Sequence, residues 1–332
     1  MSTDTDVNWQ SEQTDETIDW RDRLHEGFVL RVYEPALIAW NDRRTQTGLV
    51  IVVLYLCMAL VDLFGLWRDA STSQAPRMLG AFQNWSYPLG TTQSGVDVLA
   101  LIIDSTPFIL QMVLAGGVWA TGVAVIVGTI SGYKGGLTDS VITAISDFFM
   151  SIPGLPLVIV LGITLEPESP LVLGVILTIN YWAGLGRSIR SQVLSIRNES
   201  YVEASRAMGT NTVRIIRKDI LPNLMPYVLV NFVFAARYTI FAAVALYFLG
   251  VLPYTGQNWG ITLNYAYNQG ALFGLEAIHW LLAPIIAIVG LACGLILLSQ
   301  GMDRIFNPRV RTRLTGESES VESTPEHTTE IR

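Results

Sequence analysis

Between two long apolar runs lies a polar and basic segment, residues 200–223, which reads SYVEASRAMGTNTVRIIRKDILPN. Its pattern predicts two short helices joined at a corner, and Pro222 is expected to mark the beginning of the next segment. The runs on both sides are long enough to cross a bilayer. The sequence therefore predicts a helical corner at a membrane surface, where another protein would dock.

The ends of these two helices have sequence signals. Ser200 is expected to cap the first helix, with Glu203 completing a capping box three residues later. Gly209 is expected to end this helix in the left-handed conformation. Asn211 or Thr212 is expected to start the second helix.

The same segment resembles the EAA loop of ABC-importer membrane subunits, with Ser205 where that family has alanine. In that family the loop is the cytoplasmic coupling helix that binds in a groove of the ATPase subunit. The resemblance rests on the order and spacing of Glu-Ala-Ser, Gly and Ile-Leu-Pro. It implies an ATPase-coupling site formed by Glu203, Ala204, Ser205, Arg206, Gly209, Ile220, Leu221 and Pro222.

The composition is typical of a membrane protein. Of the 332 residues, 51% are hydrophobic and 15% are charged, whereas soluble domains average about a quarter charged residues. Neither lysine follows a glycine, so the chain lacks a P-loop, and its three histidines have no metal-ligand spacing. We therefore predict no catalytic residue, no metal and no cofactor bound by this chain, and no nucleic-acid partner.

The apolar runs predict an all-α membrane protein with six transmembrane helices, and the resemblance implies the type I ABC-importer permease fold. The chain is expected to divide into an acidic cytoplasmic tail with an interfacial segment (1–46), a first transmembrane helix (47–67), an extracytoplasmic loop (68–106), a core of five transmembrane helices (107–308) containing the coupling loop (186–224), and a disordered cytoplasmic tail (309–332).

The distribution of basic residues predicts the orientation. With six spans and both termini in the cytoplasm, the outer loops carry two basic residues, Arg68 and Arg77. The short inner segments carry fourteen: Arg43, Arg44, Lys134, Arg187, Arg190, Arg197, Arg206, Arg214, Arg217, Lys218, Arg304, Arg309, Arg311 and Arg313. Because positive residues accumulate on the cytoplasmic side, this count places the corner in the cytoplasm of a cell-membrane protein.

A second resemblance concerns the outer segment. Residues 88–91 (PLGT) and 95–98 (GVDV) are similar to a signature of the C-type subunit of dipeptide and oligopeptide importers. Thr92 replaces an aspartate of that signature, and Val96 replaces an arginine. The resemblance implies dipeptides or oligopeptides as solutes, while nickel and glycosides use similar permeases.

Two charged residues within the predicted spans are candidates for the solute pathway. Asp147 matches an Asp…Pro pattern of the family, and two roles are open for it: lining the pathway, or accepting a hydrogen bond from an unwound turn. Arg237 lies within the fifth span, where a charge is costly unless it faces water or a partner.

The leading hypothesis is the membrane subunit of an ATP-driven importer. By resemblance it would pair with a second permease subunit, rest on two ATPase subunits that bind ATP and Mg²⁺, and receive solute from an extracytoplasmic binding protein. The alternative is an ion-coupled secondary transporter, which would favour intramembrane carboxylates and an inverted repeat. A third possibility is a membrane scaffold without transport activity.

Overall fold

The computed structural model describes residues 42–70, 75–252, 258–274 and 276–306, with side chains as far as residue 301. Regular structure within these ranges is helical, apart from two isolated β-bridges. The expected N-terminal segment as far as residue 41 and the expected tail at 309–332 lie outside the described residues. The helices are α1 (Arg43–Leu63), α2 (Val98–Lys134), α3 (Gly136–Ser151), α4 (Gly154–Leu165), α5 (Pro170–Leu177), α6 (Tyr181–Ile196), α7 (Ser200–Ala207), α8 (Thr212–Ile215), a π-helical turn (Ile216–Ile220), α9 (Leu221–Phe248), α10 (Trp259–Asn268) and α11 (Ile278–Phe306).

Four helical segments in the described ranges are long and apolar enough to cross a membrane: α1, α2, the continuous segment Thr212–Phe248, and α11 as far as Gly301. Two further pairs reach this length only together, and each is bent. The axes of α3 and α4 differ by 80°, and those of α5 and α6 by 60°. The structure therefore has four candidate spans, or six if each bent pair forms one span.

The helix α2 lies at the centre of the fold and packs closely against α5, α6 and α9. A Cβ atom on Gly116 would lie 2.9 Å from the carbonyl oxygen of Gly174, and one on Gly128 would lie 2.6 Å from that of Gly186. The Thr178 hydroxyl donates to the Gly116 carbonyl at 3.2 Å. Small residues allow helices in lipid to approach this closely, so Gly116 and Gly128 serve helix packing.

The helix α1 packs lengthwise against α11. A Cβ atom on Gly48 would lie 2.7 Å from the backbone nitrogen of Leu298. Further along, the Tyr55 hydroxyl donates to the Ala287 carbonyl at 2.7 Å, and its ring meets that of Trp259 edge-on at 5.8 Å. These contacts hold α1 and α10 against the rest of the bundle.

The sequence placed the start of the second span at residue 107, and the helix that contains this residue begins nine residues earlier. The helix begins at Val98, because Asp97 caps it by accepting a hydrogen bond from the Leu99 amide at 2.9 Å. The polar residues that suggested a loop lie within the helix. The hydroxyls of Ser105 and Thr106 each donate to a carbonyl one turn earlier, at 2.7 Å, so they need no water.

The outer segment before α2 is held together by hydrogen bonds around Thr91. Its hydroxyl donates to the Pro76 carbonyl at 2.6 Å and accepts from the Leu79 amide at 2.9 Å. The Nε2 atom of His279, in α11, lies 3.1 Å from the Thr91 carbonyl oxygen. Thr92, the departure from the family signature, accepts from the Val96 amide at 3.0 Å and so closes the turn.

The sequence predicts a third span over residues 139–165 that Pro153 and Pro156 break, and the helix does break there, between Ser151 and Gly154. The fourth predicted span, residues 171–185, contains a break between Leu177 and Tyr181 that the sequence did not predict. Residues 186–196, assigned to the coupling loop, belong to α6. The helix continues because Ile189 and Val193 are buried one turn apart, despite the charged Arg190 between them.

We predict that Gly128→Val destabilises the protein, because the added atoms would collide with Gly186 and Ile189 of α6. Overpacking of this kind costs about 1–3 kcal/mol. Gly122→Val is the matched control, since an added Cβ there meets nothing within 4 Å. Titration of the detergent-solubilised variants with SDS measures the free energy of unfolding, and equal values for the two variants would contradict this packing.

Candidate functional site

The first helix of the corner, α7, ends as expected but begins differently. Its N-cap is Glu199, and no side chain caps it, so the capping box predicted for Ser200 and Glu203 is wrong. Ser200 is already helical, and a helical residue cannot occupy the extended cap position. At the other end Gly209 has φ +74°, and the Gly209 and Thr210 amides bond back into the last turn. This is the predicted left-handed stop.

The second helix begins at the predicted cap. The Asn211 side chain accepts from the Val213 amide at 3.1 Å, which confirms the start. The helix does not stop at Pro222: it passes from α8 through the π-helical turn into α9. Pro222 follows directly on the π-helical turn, where the regular hydrogen-bond pattern that a proline would break is already interrupted. The corner and α9 are thus one continuous helical segment.

Buried apolar side chains attach the corner to the bundle. Val202, Ile215 and Ile220 are buried and join one cluster with Ile189 and Val193 of α6. Of the residues predicted to couple to an ATPase, Ile220 is therefore turned inward and anchors the corner.

The remaining predicted coupling residues are accessible. Glu203, Ala204, Arg206, Gly209 and Pro222 are exposed, while Ser205 and Leu221 are partly exposed. Sequence analysis missed two apolar side chains on the same corner. Met208 is 76% exposed and Val213 is 70% exposed. The signal for both was their position directly beside the predicted stop and start residues, Gly209 and Thr212.

The surface around the corner is strongly basic. A groove of about 720 Å³ is lined by Asn211, Val213, Arg214, Arg217 and Lys218. A second groove, of about 490 Å³, is lined by Tyr133, Lys134, Arg197, Asn198, Arg206, Thr210, Thr212 and Ile215. Such a surface is complementary to an acidic partner and would steer its association.

Three polar contacts stiffen the corner. The Arg197 guanidinium donates to the Gly132 carbonyl at 3.0 Å, and the Arg206 guanidinium lies 5.5 Å from the centre of the Tyr133 ring. Both connect the corner to the end of α2. Within the corner itself, the side-chain amide of Asn223 donates a hydrogen bond to the Tyr201 hydroxyl at 3.2 Å.

Tyr201 stays neutral at physiological pH. Partial burial raises its pKa, and the negative charges of Glu199 and Asp219 raise it further.

Two ion pairs join α3 to α6 near the corner. Arg190 binds Asp139 with both arms of its guanidinium, each at 2.5 Å. Arg187 pairs with Asp147, and each of these side chains is 51% exposed. Asp147 is therefore paired with an arginine of α6. The sequence had suggested that Asp147 lines the pathway or accepts a hydrogen bond from an unwound turn, and neither role included this ion pair.

Arg237 lies apart from this pair. Its guanidinium is 5.5 Å from the centre of the Phe234 ring, one turn earlier in α9. Within the described ranges no ion pair includes Arg237; the two ion pairs found there are those of Arg187 and Arg190. The structure thus does not bring the two candidate pathway residues into contact.

A helical membrane bundle with an anchored, basic, exposed corner and charged residues within its spans is typical of a transporter subunit. The comparisons with known proteins agree. The family model described as "Binding-protein-dependent transport system inner membrane component" matches residues 124–312. This chain belongs to that family.

The relatives are named as peptide permeases. The oligopeptide transport system permease protein OppC of Bacillus subtilis is 30% identical over 70% of this chain and 76% of its own length. The dipeptide permease protein DppC of the same organism is 31% identical over 68% of this chain and 72% of its own. A putative peptide transport system permease protein of Brucella suis is 27% identical over 83% of this chain and 92% of its own.

The chain is therefore an inner-membrane transport permease and not an enzyme. The family works with a binding protein, a further permease and ATPases in general. This membership favours the importer over the two other classes considered from the sequence, the ion-coupled transporter and the scaffold.

We predict that the two ion pairs between α3 and α6 differ in strength. Exposed pairs contribute about 0–1 kcal/mol, which applies to Arg187 and Asp147. The side chains of Arg190 and Asp139 are only 30% and 18% exposed and are joined by two hydrogen bonds, so their coupling energy should be larger, up to about 3 kcal/mol. Double-mutant cycles with alanine, measured as free energies of unfolding, test this. Equal coupling energies would show that the difference in burial does not make one ion pair stronger than the other.

Proposed function

We propose that this chain forms half of the solute pathway of an ATP-driven importer for dipeptides or oligopeptides, and that its corner couples the pathway to an ATPase subunit. The observation that carries the coupling role is the anchored corner, which exposes Glu203, Ala204 and Arg206 on a rigid support. A second, homologous permease subunit would complete the pathway. Two ATPase subunits would bind ATP and Mg²⁺, and an extracytoplasmic protein would deliver the solute.

The continuity of the corner with α9 supports a mechanical role. The segment Thr212–Phe248 has 37 residues, a length of about 55 Å at 1.5 Å per residue. A displacement of the corner by the ATPase would therefore be transmitted along α9 through the whole membrane. Coupling further requires that the corner binds the two ATPase states with different affinity.

The proposed topology has six spans with both termini in the cytoplasm. It counts α3 with α4 as one span and α5 with α6 as another, in agreement with the length and composition of these pairs. It also places α7 and α8 on the side that carries most of the basic residues.

The peptide substrate is inferred from the relatives, whose names refer to oligopeptides and dipeptides. Asp147 and Arg237 are the residues proposed for the pathway. Both lie on helices of the membrane bundle and carry charges that water or a solute would stabilise.

We predict that Glu203→Gln loses most transport and that Glu203→Lys no longer binds the ATPase subunits. Glu203 does not take part in capping α7, so its exposed carboxylate is available to a partner. Removing one member of an interfacial charge pair costs about 2–5 kcal/mol. Transport in proteoliposomes and co-purification of the ATPase subunits measure the effects.

Glu199→Gln is the control, because Glu199 is also exposed and lies one turn away. Should Glu203→Gln transport as well as Glu199→Gln, the coupling role would pass to Met208, Val213 or the basic residues.

We predict that a cysteine at position 210 is shielded from impermeant thiol reagents in intact cells, whereas one at position 273 reacts. Asn258, the outer position that topology alone would favour, is buried as the cap of α10 and is a poor site for labelling. Phe273 is 90% exposed and therefore accessible. Cys57 and Cys293 are exposed in the described structure, so both are first replaced by serine. Labelling of position 210 from outside would overturn the orientation.

A further inference from the structure

The breaks in the two bent pairs lie against each other. Asn180 lies just before α6, and Ile152 lies between α3 and α4. The side-chain amide of Asn180 donates a hydrogen bond to the backbone carbonyl of Ile152 at 3.5 Å. A Cβ atom on Gly154 would lie 2.9 Å from the Asn180 Nδ2 atom. Irregular backbone at membrane depth is tolerated only where protein buries it or where it borders a water-filled cavity. We call the place where the two breaks meet, around Ile152, Gly154 and Asn180, the joint. The joint is therefore a place where the bundle can admit polar groups.

Arg237 lies beside this joint, among aromatic rings. Tyr181 is the first residue of α6 after the break, and its ring is 5.1 Å from that of Tyr238. Arg237 directly precedes Tyr238 in α9, and its guanidinium lies against the Phe234 ring. The cluster thus consists of one cation, two phenol hydroxyls and an aromatic ring.

The surroundings of Arg237 call for an anion from outside the described chain. An arginine at the centre of a span costs about 2.5–3.5 kcal/mol, and no carboxylate in the described ranges pairs with this one. Its neighbours Phe234 and Tyr238 are each 37% exposed, so this face of α9 is open. An anion can reach the guanidinium from that face.

A polar face leads from the cluster towards the corner. On α6, the side chains of Arg187, Ser188, Ser191 and Ser195 are exposed, whereas the opposite side of the same helix is buried among apolar residues. A face that carries the exposed guanidinium of Arg187 is poorly suited to lipid and well suited to water. The cluster and this face together describe the inner half of a solute pathway.

We infer that Arg237, framed by Tyr181 and Tyr238, binds the carboxylate of the solute, which for a peptide is its C-terminal carboxylate. This inference rests on the proposed function. Guanidinium binds carboxylate through two parallel hydrogen bonds, and the phenol hydroxyls can donate to the same oxygens.

The test uses the complete transporter in proteoliposomes, with trialanine and trialanine amide as probes. Each probe is supplied above its own measured Kd for the binding protein, so that delivery is equal and the uptake rate reports the permease. The parent should import trialanine faster than the amide. Arg237→Gln should slow trialanine uptake about 10- to 100-fold, the range for a hydrogen bond to a charged group, and slow amide uptake less than twofold. Arg237→Lys should fall between.

Phe241→Leu is the matched control, because Phe241 lies one turn further along α9 and is also exposed. It should leave the preference for trialanine intact. Equal losses for both peptides in Arg237→Gln, with normal assembly, would overturn the carboxylate site and leave the importer function standing.

Loss of the second permease subunit from Arg237→Gln, restored by Arg237→Lys, would assign the carboxylate to that partner and overturn the solute site. A parent complex whose ATPase responds to the loaded binding protein but which imports neither peptide would overturn the proposed peptide substrate and this inference together.

Discussion

The hydrocarbon core of a bilayer offers no hydrogen-bond partner, and the architecture of this chain follows from that constraint. Backbone groups at membrane depth must bond within helices, so the long apolar runs of the described structure are helical. Where the chain does break, at Ile152 and at Asn180, the two breaks meet and the Asn180 amide bonds the Ile152 carbonyl. The hydroxyls of Thr106 and Thr178 are likewise satisfied by backbone carbonyls.

The same constraint explains where charge is placed. Asp139 and Asp147 lie on a helix with no other charged residue, and each is paired with an arginine of α6. These pairs fix α3 to α6 on the side of the corner, beyond the break at Asn180. The corner thus rests on a helix that is itself clamped. The corner is therefore joined to α6 through buried side chains and to α9 through a continuous helix.

The glycine-lined contacts give the bundle its other property, which is close helix packing. In lipid no hydrophobic force drives helices together, so packing and polar contacts must hold them. The short approaches of α2 to α5 and α6, and of α1 to α11, show this directly. A bundle held by such surfaces can rearrange as rigid bodies, which alternating access requires.

The sequence by itself determined the helical class, the corner and the family. These are local or compositional properties: apolar length, the Gly209 stop, the Asn211 cap and the spacing around Glu203. It did not show that α2 begins nine residues before the predicted span, because polar residues satisfied within a helix look like a loop. It also assigned Ser200 and Glu203 to a capping box that the helix does not use, since Ser200 is already helical.

Only the tertiary structure decided which charges meet and which residues are turned inward. Arg187 and Asp147 are 40 positions apart in the printed sequence, and no local pattern links them. Ile220 belongs to the family motif but is buried, whereas Met208 and Val213 lie outside the motif and are exposed. The joint between the two breaks depends on the packing of α3 to α6 against α2. Such contacts arise from the packing of distant segments, which the order of residues along one segment does not specify.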